Sequence, residues 1–494
     1  MKLFTHFLKL SSFIGLMVLI VACATPTPNA ELETPVPNIT RIPVIATANP
    51  TPATPTPTVI TVYDRYTVRS GDTLGAISAR LNLSIDELMR ANNITNPNTL
   101  AANQVLKIPI LVTRVAFSDA LIPDSEMVYS PAYAAFDINA FVSQYPNGYL
   151  AAFSDKVEGE MLTGAQILQL VAERYSVGPR VLLALLEYEG GWLTKSMLTD
   201  NQIKYPMGNV DPSRTGLFYQ ASWAANRLNE GYYGRITGRL AAYKYKNNTR
   251  ARIASNINPG TAGIQNVLAL ITSWEEWQNQ VGANGWIATY RSLFGDPKQY
   301  AIDPLIPSNL KQPTWRLPFP DSEMWYYTGG PHGGWGDLTA WSAIDFSPRD
   351  MLGSCNASRM WAVASAAGKV IRSEHGRVVV SLSGNDFPGT GWTLMYLHMA
   401  TSGRAAAGTL VNAGDRIGHP SCEGGTADSS HLHFARLYNG QWMGAEMFPF
   451  VLSGWTVNAA DLEYEGTMSR NGEWREACNC REDAKNGVVG EPGK

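Results

Sequence analysis

Ser430-His431-Leu432-His433-Phe434 is the stretch whose reading decides the C-terminal fold. Two histidines sit two residues apart inside an apolar run that reads as a β-strand. Strand side chains alternate faces, so His431 and His433 project side by side while Leu432 and Phe434 enter a core. Two imidazoles on one strand face can divide the work of a zinc site, one binding metal and the other moving protons. Of seven histidines only His6 lies outside the C-terminal part; the others are His332, His375, His398, His419, His431 and His433.

Working outward, 494 residues suffice for several domains, with 45% hydrophobic and 16% charged residues as in ordinary folded protein. A formal charge of −3 provides no electrostatic argument for nucleic acid, and no such partner is expected. The short strands bounded by glycine around Gly368-Lys369-Val370-Ile371 and Arg377-Val378-Val379-Val380 make the C-terminal part β-rich. Within it, Gly329-Gly330-Pro331-His332 sets a histidine in a glycine-rich turn. Ala343-Ile344-Asp345-Phe346 sets a carboxylate on an apolar strand, and Tyr396-Leu397-His398 ends another strand. A catalytic zinc takes three protein ligands and keeps one position open. His332, Asp345 and His433 supply two nitrogens and a carboxylate oxygen, leaving His398 and His431 to move protons and stabilise developing charge.

The strings GGPH, SAIDF, YLHMA and CEGG followed by HLHF resemble, in order, the β-lytic, staphylolytic branch of the lysostaphin-type zinc metallopeptidases. In the common form of that family the first His and the Asp are four residues apart. Here Trp341 stands four before Asp345, and the spacing from His332 is the wider one of the β-lytic branch. The resemblance covers roughly 315–450. It implies one zinc ion held by His332, Asp345 and His433, catalytic His398 and His431, and cleavage of cell-wall peptide cross-links.

At the N-terminus, Lys2 and Lys9 precede an apolar stretch from Leu10 to Ala22, then Cys23. This is a secretory signal, too short for a comfortable membrane span. Ile20-Val21-Ala22-Cys23 resembles a bacterial lipobox, which implies lipidation at Cys23, export, and anchoring to the outer face of the membrane in the cell envelope. Residues 24–60 interleave proline and threonine and read as an extended tether. Residues 66–109 open on YTVRSGDTL and close on LKIP. Asp72 is placed to cap a helix carrying Leu74, Ile77 and Leu81, and Ser84-Ile85-Asp86-Glu87 has capping-box spacing for a second helix. The order strand, helix, helix, strand resembles LysM. It implies binding to N-acetylglucosamine-containing glycan in peptidoglycan at the loops of Gly71, Asp72, Thr73 and Leu74 and of Ile94 and Asn96.

Residues 112–300 read as helical. Thr163-Gly164-Ala165-Gln166 has capping-box spacing, Pro179 opens a buried helix to Glu189, and a third run covers 263–280. LLEYEGGW and the later GLFYQ resemble lysozyme-like transglycosylases, with Glu189 as the acid and Gln220 in the cleft, except that Gly190 replaces the usual serine. No second carboxylate is evident for a two-carboxylate mechanism, so this part is expected to be mainly structural. Cys355, Cys422, Cys478 and Cys480 suggest two disulfides in an exported chain; Cys355–Cys422 is favoured, while Cys478–Cys480 would close a cramped loop. Residues 461–494 read as a cysteine-containing extension whose last residues, 486–494, form a frayed tail.

The expected architecture is thus multidomain α+β: a βααβ LysM module, a helical middle part over 112–300, and an antiparallel β-sheet metallopeptidase over 313–460. The expected function is a zinc-dependent peptidoglycan endopeptidase. The alternatives are a non-catalytic scaffold or amidase activator, which would lack ligands that this chain keeps, and a glycan-cleaving enzyme acting through Glu189.

Overall fold

A computed structural model describes residues 59–490 apart from Asn82, Met351 and Leu352. Cys23, the expected signal segment and residues 24–58 of the expected tether lie outside the described residues, while Ile60, the last residue of that expected tether, begins a strand. Among the described residues no helix is long and apolar enough to cross a membrane.

Strands β1 (Ile60–Thr67) and β2 (Val105–Val112) pair antiparallel and enclose helices α1 (Leu74–Leu81) and α2 (Ile85–Ala91). Val68, Leu74, Ile77, Leu88, Leu106 and Ile108 form the core of this βααβ unit. The capping box is present at Ser84, where its hydroxyl accepts from the Glu87 amide and Glu87 reaches back to the Ser84 amide. Asp72 does not cap α1. Thr73 does, its Oγ1 accepting from the Ala76 amide at 3.1 Å. Asp72 instead accepts from Tyr66 Oη at 2.6 Å and from the Arg69 amide at 2.8 Å, folding the turn that precedes the helix. The outer ends of the two strands continue past the module. Val62 and Val112 pack with Ala242 of the helical part, and Asp64 pairs with Arg250.

The helical part is built on α3 (Gly164–Tyr175), α4 (Pro179–Gly190), α5 (Leu217–Thr237), α6 (Pro259–Ile271) and α7 (Trp274–Gln280). Thr163 caps α3 in a capping box with Gln166, and Pro179 opens α4, whose Val181 to Leu186 are buried throughout. The single run expected over 263–280 is two helices. Ser273 forms its own capping box with Glu276, which ends one helix and starts the next.

The C-terminal part is an antiparallel sheet. In spatial order its main path is Leu410–Val411, Gly368–Glu374, Arg377–Ser381, Trp392–Leu397, Leu432–Tyr438, Ala343–Pro348, Met324–His332 and Gly487–Val489. Alternation splits each strand between two cores. Ile344, Phe346, Leu432 and Phe434 face a core closed by Trp325, Phe450 and Trp455. Ala343, Met395, Leu397, Ala435 and Leu437 face the helical part and share its core. Two expectations change here. Residues 487–489 are an edge strand on Met324–His332, with Val488 fully buried, because the tail supplies backbone partners that this strand would otherwise lack. Cys478 is bridged to Cys480, as Cys355 is to Cys422. Asn486, itself buried, donates to Tyr327 O, Cys478 O and Cys480 O, which explains how so short a loop is held.

Candidate metal centre

The strand register assembles the centre. His433 lies directly opposite Asp345 on one side and Leu397 on the other, and Gly329 lies opposite Asp345 from the far strand. Directly paired residues present side chains on one face, so three neighbouring strands bring His433, Asp345 and His332 together. His332 Nε2 is 3.3 Å from Asp345 Oδ1, His433 Nδ1 is 3.3 Å from the same oxygen, and the two nitrogens are 3.0 Å apart.

The outward nitrogen of each imidazole determines what the inward one offers. His332 Nδ1 donates to Gly330 O at 2.7 Å, and His433 Nε2 donates to Gly334 O at 3.0 Å. Those carbonyls hold the protons on the far side of both rings. The facing nitrogens are therefore bare lone pairs, and Asp345 Oδ1 is buried with no hydrogen-bond partner. Two lone pairs and a carboxylate oxygen converging on one point repel one another unless a cation lies between them. Among the described residues these three are the group able to hold a metal ion. The donor set fits a divalent metal of the imidazole-and-carboxylate class.

Burial opposes ionisation of Asp345, yet the electrostatic influence of His332 and His431 prevails and holds its carboxyl well below the usual range. Burial also lowers His332 and His433. Asp345 outweighs it at His332, which is raised, but not at His433, which is lowered. His398 is pushed down to about 3 by burial and by the neighbouring His431 and His433.

His398 and His431 stand beside this group, their ring centroids 4.4 Å apart. His398 Nδ1 is held on Glu423 O and His431 Nδ1 on Ser429 O, and among the described residues neither Nε2 has a hydrogen-bond partner; that of His431 is 3.8 Å from Asp345 Oδ1. His398 ends its strand with a φ of +63°, a left-handed conformation that is costly without glycine and recurs at functional sites. Ser421 ties the two together, donating to His398 O and accepting from the His431 amide. The disulfide from Cys422 to Cys355 anchors that connecting segment.

All five residues line a cleft of about 910 Å³. Three other lining residues carried no sequence signal. Tyr464 stacks on the His332 ring with centroids 4.1 Å apart, and burial together with Asp345 pushes its hydroxyl up to about 12. Tyr175 enters from the end of α3, and Arg481 from the loop after Cys480. His375 and His419 lie apart from the group, His375 near Glu158 and His419 on Trp361.

The other predicted positions fall elsewhere. In the LysM unit Gly71 adopts a φ of +88°, Leu74 is a core residue, and Ile94 packs partly on the same core. Asn96 accepts from the Asn98 amide in an exposed loop. Glu189 closes α4 with Oε1 buried and unpartnered, and burial raises its carboxyl to about 7. The Gln220 amide donates to Asn209 O and Arg214 O, and no hydrogen bond joins it to Glu189 among the described residues.

Residues 66–109 match the LysM domain, and residues 120–309 match the N-terminal domain of LasA. The chain is 26% identical to Protease LasA of Pseudomonas aeruginosa over 364 residues, covering 68% of this chain and 78% of that protein. It is 40% identical over 62 residues to the Secreted LysM effector ECP6 of Passalora fulva, covering 12% of this chain and 27% of that one. Among solved structures, the M23 metalloprotease pseudoalterin, described as from the deep sea, is 25% identical with a TM-score of 0.29, covering 34% of this chain and 96% of that one. The chain thus carries LysM and LasA N-terminal domains and is homologous to Protease LasA.

Proposed function

We propose that this homologue of Protease LasA is an extracellular, zinc-dependent endopeptidase of the lysostaphin type that cuts peptide cross-links in peptidoglycan, with its LysM domain holding glycan. The observation that carries the reading is the convergence of two bare imidazole nitrogens and an unsatisfied buried carboxylate oxygen on the floor of a cleft. His332, Asp345 and His433 would hold the ion. When bound, zinc supplies Lewis acidity toward a peptide carbonyl and toward water.

The remaining work belongs to the chain. His398 Nε2 is free to take a proton from an entering water, because its Nδ1–H is engaged by Glu423 O. His431 Nε2 faces the same space and can carry a proton to the departing amine or support the developing oxyanion. Tyr464 keeps its hydroxyl proton at working pH, since its pKa is pushed up to about 12, and is a hydrogen-bond donor on the cleft wall. Lipidation at Cys23 would add an envelope anchor to the LysM attachment.

The test is metal content beside hydrolysis of purified peptidoglycan. The full chain should hold about one zinc. His433→Ala should lose both metal and activity, whereas His398→Ala and His431→Ala should keep the metal and lose on the order of 10²–10⁴ in rate. Full activity in metal-free His433→Ala protein would overturn the reading.

A further inference from the structure

Arg481 is the one lysine or arginine among the described residues that line the metal cleft, which otherwise presents histidines, Asp337, Asp345, Asp428 and Glu465. Its guanidinium donates to Ser347 Oγ at 2.8 Å, and its Nε is buried without a partner. No carboxylate lies within ion-pairing distance of it among the described residues, although Asp483, two positions on, is engaged by Arg349 and Tyr326. A half-buried guanidinium on a cleft wall with no counter-charge is an incomplete interaction.

The position is built rather than incidental. Cys478 is tied to Cys480 immediately before Arg481. Asn486 clamps the carbonyls of both cysteines, and the strand Gly487–Val489 fastens the segment to the main sheet. Ser347 follows Asp345 by two residues on the same strand face, so the guanidinium is anchored about 7 Å along the sheet from the proposed metal ligand. An extended peptide covers that distance in two to three residues.

We propose that Arg481 is a specificity-determining residue that receives a carboxylate of the peptide substrate, two or three residues from the bond that is cut. This rests on the reading of the cleft as a peptide site. The planar fork of a guanidinium matches a carboxylate in a bidentate pair, and among the described lining residues no lysine or second arginine competes for the anion. The carboxylate can come from an acidic side chain or from a free chain terminus, since both present the same pair of oxygens.

Binding to the metal-free full chain tests this without requiring catalysis. Glycine–alanine pentapeptides would be titrated in three forms: with a free C-terminal carboxylate, with a C-terminal amide, and with an amide terminus plus an internal Glu or Gln. The wild type should bind one or both carboxylate forms on the order of ten- to a hundredfold more tightly than the matched neutral form. Whichever form is preferred identifies the source. Arg481→Gln should erase the preference by weakening only the carboxylate peptides, and Arg481→Lys should restore part of it. Equal binding of charged and neutral peptides by the wild type, no binding of either, or a preference that survives Arg481→Gln would overturn the inference. Hydrolysis of peptidoglycan by the zinc-loaded wild type, measured separately, tells this failure from failure of the peptidase reading.

Discussion

At the scale of single residues, the tightest constraint is the space around Asp345. A Cβ on Gly329 would lie 2.4 Å from Asp345 Oδ2 and 2.9 Å from its Cγ, so no side chain fits without moving the carboxylate. Gly329→Ala should therefore weaken metal binding by roughly ten- to a hundredfold while the sheet still folds, as seen by chelator competition and circular dichroism. Unchanged affinity would show that the carboxylate relaxes freely. Glu189 presents a different constraint. Its carboxyl is raised by burial to about 7 from an ordinary 4.5, so the folded state holds a proton that the unfolded chain releases first. Its contribution is fully present below the ordinary carboxylate range and is lost as pH rises through about 7. Wild-type stability should fall by about 3 kcal/mol across that window relative to Glu189→Gln, which cannot ionise. Denaturation of both proteins between pH 4 and 8 measures the difference, and parallel curves would contradict the assignment. This is a stability argument, and it stands apart from any role in cleaving glycan.

At the scale of elements, local signals and tertiary pairing divide the labour. Capping boxes at Ser84 and Thr163 and the proline opening α4 were legible because each helix start is closed by residues within one turn of it. Asp72 departs from the expected cap because it sits next to the actual cap, Thr73, and the chain offers its carboxylate a better partner in Tyr66. The last strand was illegible for the opposite reason. Gly487-Val488-Val489 is too short to carry a periodic pattern and becomes a strand only against Met324–His332. Val488 is nonetheless fully buried. Val488→Ala should cost roughly 2 kcal/mol in denaturant unfolding of the sheet, whereas the same change in a frayed tail would cost nothing measurable.

At the scale of the whole molecule, the sheet face that carries the metal centre is also the face on which the helical part packs. Tyr232 Oη donates to Gln441 Oε1, the Trp442 amide donates to Tyr233 Oη, and Trp442 Nε1 donates to Tyr175 O. Tyr175 thus reaches the cleft wall because α3 is seated beside the centre. Glu173 fastens the same joint, accepting from Arg372 at 2.7 and 2.8 Å and lying 3.7 Å from Arg377. Removing one partner strands buried charge, so Glu173→Gln should destabilise the chain by about 3 kcal/mol at neutral pH. Burial opposes ionisation of Glu173, but the hydrogen bond and charge of Arg372 and the charge of Arg377 prevail and hold its carboxyl below the ordinary range. The stabilisation is therefore present above the ordinary carboxylate range and is lost as pH falls through the depressed folded value. The gap between wild type and Glu173→Gln in thermal unfolding should narrow on acidification, and a gap that widens would refute the ion pair as its source.

By itself the sequence determined the α+β organisation, the LysM unit, and the five histidine and aspartate positions that the sheet gathers. Strand alternation and short motifs are local, and a two-residue period places His433 on a face wherever that strand lies. Only the tertiary structure decided that Asp345 stands opposite His433, that the outward imidazole nitrogens meet Gly330 and Gly334, and that Tyr464 and Arg481 join the cleft. Most of those facts depend on strand register and on segments far apart in the chain, 99 residues for His433 and Gly334. No local pattern encodes them, because backbone pairing and burial select the partner only when the whole sheet is assembled.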